Sequence, residues 1–349
     1  MLHRWLRIVL AAGCAGLASC AVAGCGEDEA EQPRPQRPAG GEYYVATDGS
    51  DSNSGSKQAP FRTIAKGLSA MGPGATTYVR GGTYREDVTV DAPDCEDSRP
   101  CVLRNAPGDQ PVLQGLLWLE GGSDWTIDGL DVTWNPGEEG DKHMVKVLGG
   151  SDWTLKGMEM SGAHSFANLL VVGDPRSWRV TENCIHDTFP TNDVNQDHNV
   201  YVNTDDDGRD GLIDRNLLFN APNGSNLKLG GTDADSSRTS NLVVSHNTMY
   251  NAAQNILVSG GSHDIRFDRN ITAQASLRSY RAYMLTGEDV ELVSGLASGA
   301  EALLYSDSGY RALAVERLET VADPRFDRLD CDGFRPEDSA ARRYGVYAP

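Results

Sequence analysis

The sequence predicts an all-β chain wound as a right-handed parallel β-helix (solenoid) with an N-terminal capping helix, and three observations predict it. First, six segments share the template apolar-x-x-(Leu/Met/Asn)-x-apolar, beginning at Ile127, Leu155, Val180, Ile213, Val244 and, more loosely, Phe267. Their fourth positions are Leu130, Met158, Asn183, Asn216, Asn247 and Asn270, spaced 28, 25, 33, 31 and 23 residues apart, the length of one coil. Second, Asn168, Asn199, Asn226 and Asn255 each precede a short apolar run. Stacked, their amides would form a ladder that satisfies groups otherwise buried unpaired. Third, the chain is rich in Gly, Asn, Asp and Ser and poor in long amphipathic patterns, as many short strands joined by turns require.

Taken in order, residues 1–24 read as a lipoprotein signal peptide. A short basic stretch (His3, Arg4, Arg7) precedes an apolar run from Ile8 to about Leu17 that is too short to span a bilayer. Two sites end in cysteine after small residues, Leu17-Ala18-Ser19-Cys20 and Val22-Ala23-Gly24-Cys25, and both resemble a bacterial lipobox. Cys25 is favoured as the lipidation site because a polar segment follows it directly; Cys20 is the alternative. Residues 25–41, acidic and then rich in Pro, Gln and Gly, read as a disordered tether, and residues 42–349 as the β-helix domain. Within it, PFRTIAKGLSAM supplies the capping helix, with Pro60 at its start, Phe61, Ile64, Ala65, Leu68 and Met71 at helical spacing, and Gly72-Pro73-Gly74 as its stop. Such a cap is needed because open sheet edges invite pairing with other chains. Irregular coils and a tail are expected after Ala273. Cys95 and Cys101 flank a short loop and are expected to pair; Cys184 with Cys331 would be a long-range staple.

Alternation with period two puts Leu169, Val200, Leu227 and Ile256 inside, with Val171, Val202, Leu229 and Val258. Leu170, Tyr201, Lys228 and Leu257 then face out, and Lys146 joins them on the same stripe.

The stretch from Tyr43 to Glu86, YYVATDGSDSNSGSKQAPFRTIAKGLSAMGPGATTYVRGGTYRE, is similar to the entry sequence of pectate-lyase-like β-helix proteins. In that group a strand, an Asp/Ser/Asn/Gly-rich turn, a Pro-Phe-x-Thr-Ile helix and a Tyr-Val-x-x-Gly-x-Tyr strand open the helix. The closing segment resembles the same group through Ala322, Asp323, Pro324, Phe326, Phe334, Arg335, Ser339 and Ala340, without its usual Pro after the Ser. The group includes polysaccharide lyases, hydrolases and epimerases, so the resemblance implies a scaffold and a substrate class rather than one reaction.

A formal net charge of -19 and the lack of a basic stripe speak against nucleic acid as a partner. An anionic sugar would have to be attracted locally, by a few cations or by bound calcium, against the field of the whole molecule. The expected partners are extracellular polysaccharide and, through the N-terminal lipid, the bacterial cell envelope on its periplasmic or outer side; the chain is expected to be a monomer.

The densest chemistry falls on two neighbouring coils. A polar insertion, Thr188 to Asp197, precedes the strand carrying His198 and Tyr201, and the next coil sets Lys228 beside Tyr201. β-Elimination from a uronate needs a cation beside the carboxylate, a base for the C5 proton and an acid for the leaving oxygen. Calcium on Asp205, Asp206, Asp207 and Asp210 is a candidate for the first, although such turns are common in solvated loops. Lys228 or His198 is a candidate for the second and Tyr201 for the third. Each has a plainer reading: a solvated lysine or sugar donor, a histidine bonded to the insertion, a stacking platform. His164, His186, Asp197 and Arg238 are expected to line the substrate groove. Asn203-Thr204-Asp205 matches the first motif of polygalacturonase-type hydrolases, but the downstream motifs are absent. The function read here is therefore a polysaccharide-binding β-helix and candidate uronate lyase; the alternative is a non-catalytic carbohydrate-binding or structural envelope lipoprotein.

Overall fold

A computed structural model describes residues 40–138, 140, 142–189, 196–205, 208–231 and 238–349. The signal segment, the lipobox cysteines Cys20 and Cys25, and the tether up to residue 39 lie outside the described residues. Residues Arg37–Pro349 belong to one compact unit. It is a parallel β-solenoid of about nine turns with one short α-helix, whose first strand starts at Gly41.

Each full coil contributes a strand to each of three faces. Central rungs of the first face are Trp125–Asp128, Thr154–Lys156, Arg179–Thr181 and Gly211–Asp214. The second stacks Asp131–Thr133, Glu159–Ser161, Cys184–His186 and the start of Leu217–Leu229. The third stacks Val145–Leu148, Ala167–Gly173, His198–Thr204 and the end of Leu217–Leu229. Each sequence template thus spans two strands, its fourth residue sitting at the corner between the first and second faces. Parallel stacking in register places the same position of each coil directly above the last, about 4.8 Å away, so like residues form columns.

The columns explain the composition. Asn168 donates to the Asn199 side chain (2.9 Å), Asn199 to Asn226 (2.8 Å) and Asn226 to Asn255 (2.8 Å), while each also donates to a backbone carbonyl at the end of the second face. A second ladder holds the template corner: Asn183 to Asn216 (2.9 Å), Asn216 to Asn247 (2.9 Å), Asn247 to Asn270 (3.0 Å). All eight residues are buried. At the start of the first face, Trp125, Trp153 and Trp178 stack with centroids 5.4 Å apart at each step. The column stops at Gly211, where a Cβ would lie 2.5 Å from the Trp178 ring. The residues just before these strands take positive φ (Asp124, Asp152, Ser177, Asp210), a conformation Asp tolerates better than most side chains.

The inward set Leu169, Val200, Leu227, Ile256, Val171, Val202, Leu229 and Val258 is fully buried as expected. Both expected disulfides form, Cys95–Cys101 and Cys184–Cys331.

Three expectations need correction. The helix is Ile64–Ala70, with Thr63 as its N-cap, and does not begin at Pro60. Asp51 accepts from the Arg62 and Thr63 backbones and from the Thr63 hydroxyl, and Phe61 bridges to Val45; these hold the chain extended until Ile64. The coils do not become irregular after Ala273, since strands His263–Tyr283, Val290–Ser298, Ala302–Ser306 and Leu318–Thr320 continue all three faces. Leu170 and Leu257, although on the outward register, are buried, 8% and 1% exposed.

From Pro324 the chain runs back along the outside of the second face. Phe334 packs on Phe219 and Tyr250, Tyr344 joins the cluster of Ile271 and Leu296, Arg215 donates to the carbonyls of Val346 and Ala348, and Cys331 is bonded to Cys184.

Replacing Asn226 by Ala removes the partner of one Asn199 amide N–H, of the Asn255 side-chain oxygen and of the Tyr250 carbonyl, all in the interior. At about 1–3 kcal/mol for each unsatisfied group, the expected outcome in a denaturant titration is a loss of at least about 3 kcal/mol. The half-buried Asn220→Ala, which loses surface bonds to Asp187 and Asn251 at a positive-φ corner, should cost less, about 1–2 kcal/mol.

Candidate functional site

The outer face of the third stack carries a continuous row fixed by register: Trp118, Lys146, Leu170, Tyr201, Lys228, Leu257, Arg281 and Tyr305. Cations lie over rings along it. Lys146 Nζ sits 3.6 Å from the Trp118 centroid and Lys228 Nζ 4.3 Å from that of Tyr201; Arg281 is 5.8 Å from Tyr305. Such contacts stabilise a cation without neutralising it. Arg281 is also paired with Asp307 at 3.2 Å, whereas no carboxylate partners Lys228 among the described residues.

Lys228 and Tyr201 therefore meet as the sequence implied, on adjacent rungs and half-buried. Burial pushes the Lys228 ammonium down to about 8, because a charge withdrawn from water loses solvation. The same burial raises the Tyr201 phenol above its usual value. At neutral pH the phenol keeps its proton and the lysine is close to shedding one.

His198 lies in the same strand but not in the groove; it is fully buried. Its Nδ1 accepts the Ser225 backbone N–H at 2.9 Å, so the proton of the neutral ring is on Nε2. Burial first, and the Lys228 charge second, hold its pKa well below the usual histidine value. A neutral ring whose acceptor nitrogen is occupied can donate from Nε2 but cannot take a proton there, which removes His198 as the base.

The other candidates scatter. Asp197 is buried, accepts from the Asn223 amide and packs against Gly224, where a Cβ would come 1.8 Å from the Asp197 carbonyl oxygen. Arg238 is tied in by its backbone carbonyl, which accepts from the Thr204 N–H at 2.8 Å. His164 is sandwiched between Trp134 (3.8 Å) and Phe189 (4.0 Å), and Phe189 and Phe166 are each 52% exposed. His186 lies on the second face, stacked on Phe219 at 4.7 Å and held between Asp187 (2.8 Å) and Glu159 (3.1 Å), so it does not share the outer face of Lys228. Burial alone would lower its pKa, but hydrogen bonds and charge from the two carboxylates outweigh burial and raise it to about 9.

Of the residues proposed for calcium, the two that are described, Asp205 and Asp210, do not meet at this face. Asp205 is an exposed turn residue accepting from Gly208, and Asp210 is a positive-φ corner residue 3.7 Å from Arg209; Asp206 and Asp207 lie outside the described residues. Asp205 is four residues beyond Tyr201, about 13 Å along a strand. Among the described residues, the ligand atoms that do converge belong to Cys184, His186 and Cys331, and the two sulfurs there are joined in a disulfide.

Sequence reasoning placed Lys146, Tyr201 and Lys228 on the stripe but missed Trp118, Arg281 and Tyr305. The signal was the period-two alternation in LWLE, SYRAY and ALLYS. It likewise missed the ring stack of Trp134, His164 and Phe189, which joins residues from three coils.

This architecture defines a class: a parallel β-helix with a ring-and-cation row along one face. A family model described as a protein of unknown function (DUF1565) matches residues 47–93. Over 76 residues the chain is 38% identical to the uncharacterized protein YwoF of Bacillus subtilis (strain 168), covering 22% of this chain and 16% of that protein. Over 75 residues it is 33% identical to pectate lyase PEL9 of Emericella nidulans, covering 21% and 18%. The chain thus aligns with less than a fifth of the length of these curated relatives. The structure of pectate lyase Pel9A superposes with a TM-score of 0.57 at 13% identity, covering 82% of this chain and 80% of that one. The shared feature is the fold.

His186 is protonated when folded, with a pKa above its unfolded value of about 6.5, so its contribution is complete below pH about 6.5 and fades as pH rises through about 9. The lowered values of Glu159 and Asp187 add stability that is lost as pH falls through their folded pKa values. The thermal midpoint should drop between pH 6.5 and 9.5, and His186→Gln should flatten that drop.

Proposed function

We propose that this protein binds an acidic polysaccharide along the outer face of the third stack and cleaves it by β-elimination, with Lys228 as base and Tyr201 as acid. The observation that carries the reading is Lys228 itself: half-buried, unpaired by any carboxylate among the described residues, held over the Tyr201 ring and pushed down to about 8. The row supplies rings on which sugar faces can stack and cations for carboxylates, spaced by the strand repeat. These local cations act against a molecule of net charge -19, as recognition of an anion on this chain requires.

In the elimination, neutral Lys228 takes the C5 proton, the C–H electrons form the C4–C5 double bond, and the C4–O bond breaks. Tyr201 donates its phenolic proton to the departing oxygen. Both groups are on adjacent rungs of one face, so proton removal and donation occur on the same side of the sugar. His198, edge-on to the Tyr201 ring at 5.7 Å, stays neutral and adds no competing positive charge beside Lys228.

One observation favours the alternative of a non-catalytic binder. Apart from Lys228, the described residues place no free cation at Tyr201 to neutralise the uronate carboxylate, and a lysine ion-paired to that carboxylate is held protonated.

We further propose that the chain is exported and lipid-anchored to the bacterial envelope through Cys25, or through Cys20. The basic, apolar and small-residue order before those cysteines supports this, as do two disulfides, which persist in oxidising compartments.

The test is the ultraviolet absorbance of the unsaturated uronate, followed with pectic, alginate and glycosaminoglycan substrates. Activity should rise with pH through about 8 as Lys228 deprotonates. Lys228→Ala should lose at least about 10²-fold, in line with the loss of a general base, with an unchanged melting midpoint. Retained turnover in Lys228→Ala would refute the assignment of the base. Glycan binding with no product at any pH would establish the binder instead. Cys25→Ser should abolish incorporation of labelled fatty acid, unless Cys20 is the anchor, in which case Cys20→Ser does so.

A further inference from the structure

The two ends of the solenoid are built differently. At the N-terminal end the helix Ile64–Ala70 lies across the first rungs with Ile64 and Leu68 buried, pressed so closely that a Cβ on Gly67 would meet Val45 at 2.7 Å and Thr77 at 3.0 Å. Glu86 caps the helix by accepting from Ile64 and Ala65. The apolar interior is sealed there.

At the other end nothing comparable occurs. Strands Ala302–Ser306, Ala314–Val315 and Leu318–Thr320 each pair with the preceding coil, and among the described residues their far edges pair with nothing. Leu304 stacks on the inward-facing Tyr280, and Val315 on the inward-facing Leu292. Both belong to the interior column, yet they are 42% and 41% exposed, although Tyr280 and Leu292 below them are fully buried. No residue between Glu301 and Thr320 is buried. The segment after Pro324 does not fold over this end, because Cys331 is bonded to Cys184 and Phe334 is packed on Phe219 along the second face.

We infer that the C-terminal end of the solenoid is a self-association surface, where a second copy of this chain docks end to end about a two-fold axis, giving a dimer in place of the monomer expected from sequence. An exposed apolar interior bounded by unpaired strand edges is a template for pairing. Docking end to tail would need a matching open end, and the helix closes that end. Only like ends can meet, and an interface between like ends closes after two copies. About a two-fold axis perpendicular to the solenoid, the strands of the two last coils run antiparallel. The five-residue strand Ala302–Ser306 can pair with its own copy while Leu304 and Val315 leave water. The last coil, Glu301–Thr320, presents about the 20–30 residues per side that a standard stable interface uses. With -19 charges on each copy, the contact forms against long-range repulsion that salt screens.

The test is the mass and shape of the whole mature chain in solution, by sedimentation equilibrium and small-angle scattering at several salt concentrations. The expected result is a twofold mass that strengthens with salt and a maximum dimension close to twice that of the single solenoid. Leu304→Glu and Val315→Glu should each weaken association at least tenfold without lowering the melting midpoint, while Phe166→Ser, exposed elsewhere, should leave the mass unchanged. A monomeric mass throughout, a side-by-side dimer of unchanged length, or a dimer indifferent to both glutamates would overturn the proposal. None of these readouts depends on glycan binding or turnover.

Discussion

The structure depends on register. Once parallel coils stack about 4.8 Å apart, every side chain is constrained by the residues directly above and below it. Polar groups can then be buried only in columns that satisfy one another. The two asparagine ladders do this: each amide donates to the next and to a carbonyl across the corner. They fix where each coil turns and therefore which residue of each strand faces out. The row containing Tyr201 and Lys228 is a consequence of that constraint, because its members are brought together by register and not by sequence proximity.

The same constraint explains the environment of Lys228. A lysine alone on a convex surface would be solvated, but here the ring of Tyr201 lies beneath it, the buried His198 lies inward, and Leu257 on the next rung is withdrawn from solvent. The lysine loses hydration without gaining a carboxylate, and this lowers its pKa. His186 shows the opposite case: its burial is comparable, but two carboxylates bracket it and its pKa rises. Partner charge, more than depth, separates the lysine whose pKa is lowered from the histidine whose pKa is raised.

Much of the fold was legible because a solenoid writes its period into the sequence. The asparagines before LLVV, VYV, LKL and ILV predicted one ladder, and alternation predicted the inward set and the outward stripe. The same alternation counted back from Val200 puts His198 inward, a signal that was available but masked by the expectation of a catalytic imidazole. The course of the C-terminal segment was not legible beyond the pairing of Cys184 with Cys331, because its contacts with Phe219, Tyr250 and Thr248 join residues about a hundred positions apart and carry no period. The acidic string after Thr204 was ambiguous for a physical reason. Asp is favoured both by cations and by corners with positive φ, and Asp210 occupies such a corner.

The central claim is that the third face holds the glycan and that Lys228 reaches its reacting sugar. The most direct measurement is a crystal structure of the Lys228→Ala variant soaked with an acidic oligosaccharide, in which turnover is blocked. The expected result is a sugar chain lying along the row from Trp118 to Tyr305, with a uronate C5 over the vacated lysine position and the Tyr201 oxygen near the glycosidic bond. A chain bound on another face, or one that crosses this row with no uronate near residue 228, would contradict it.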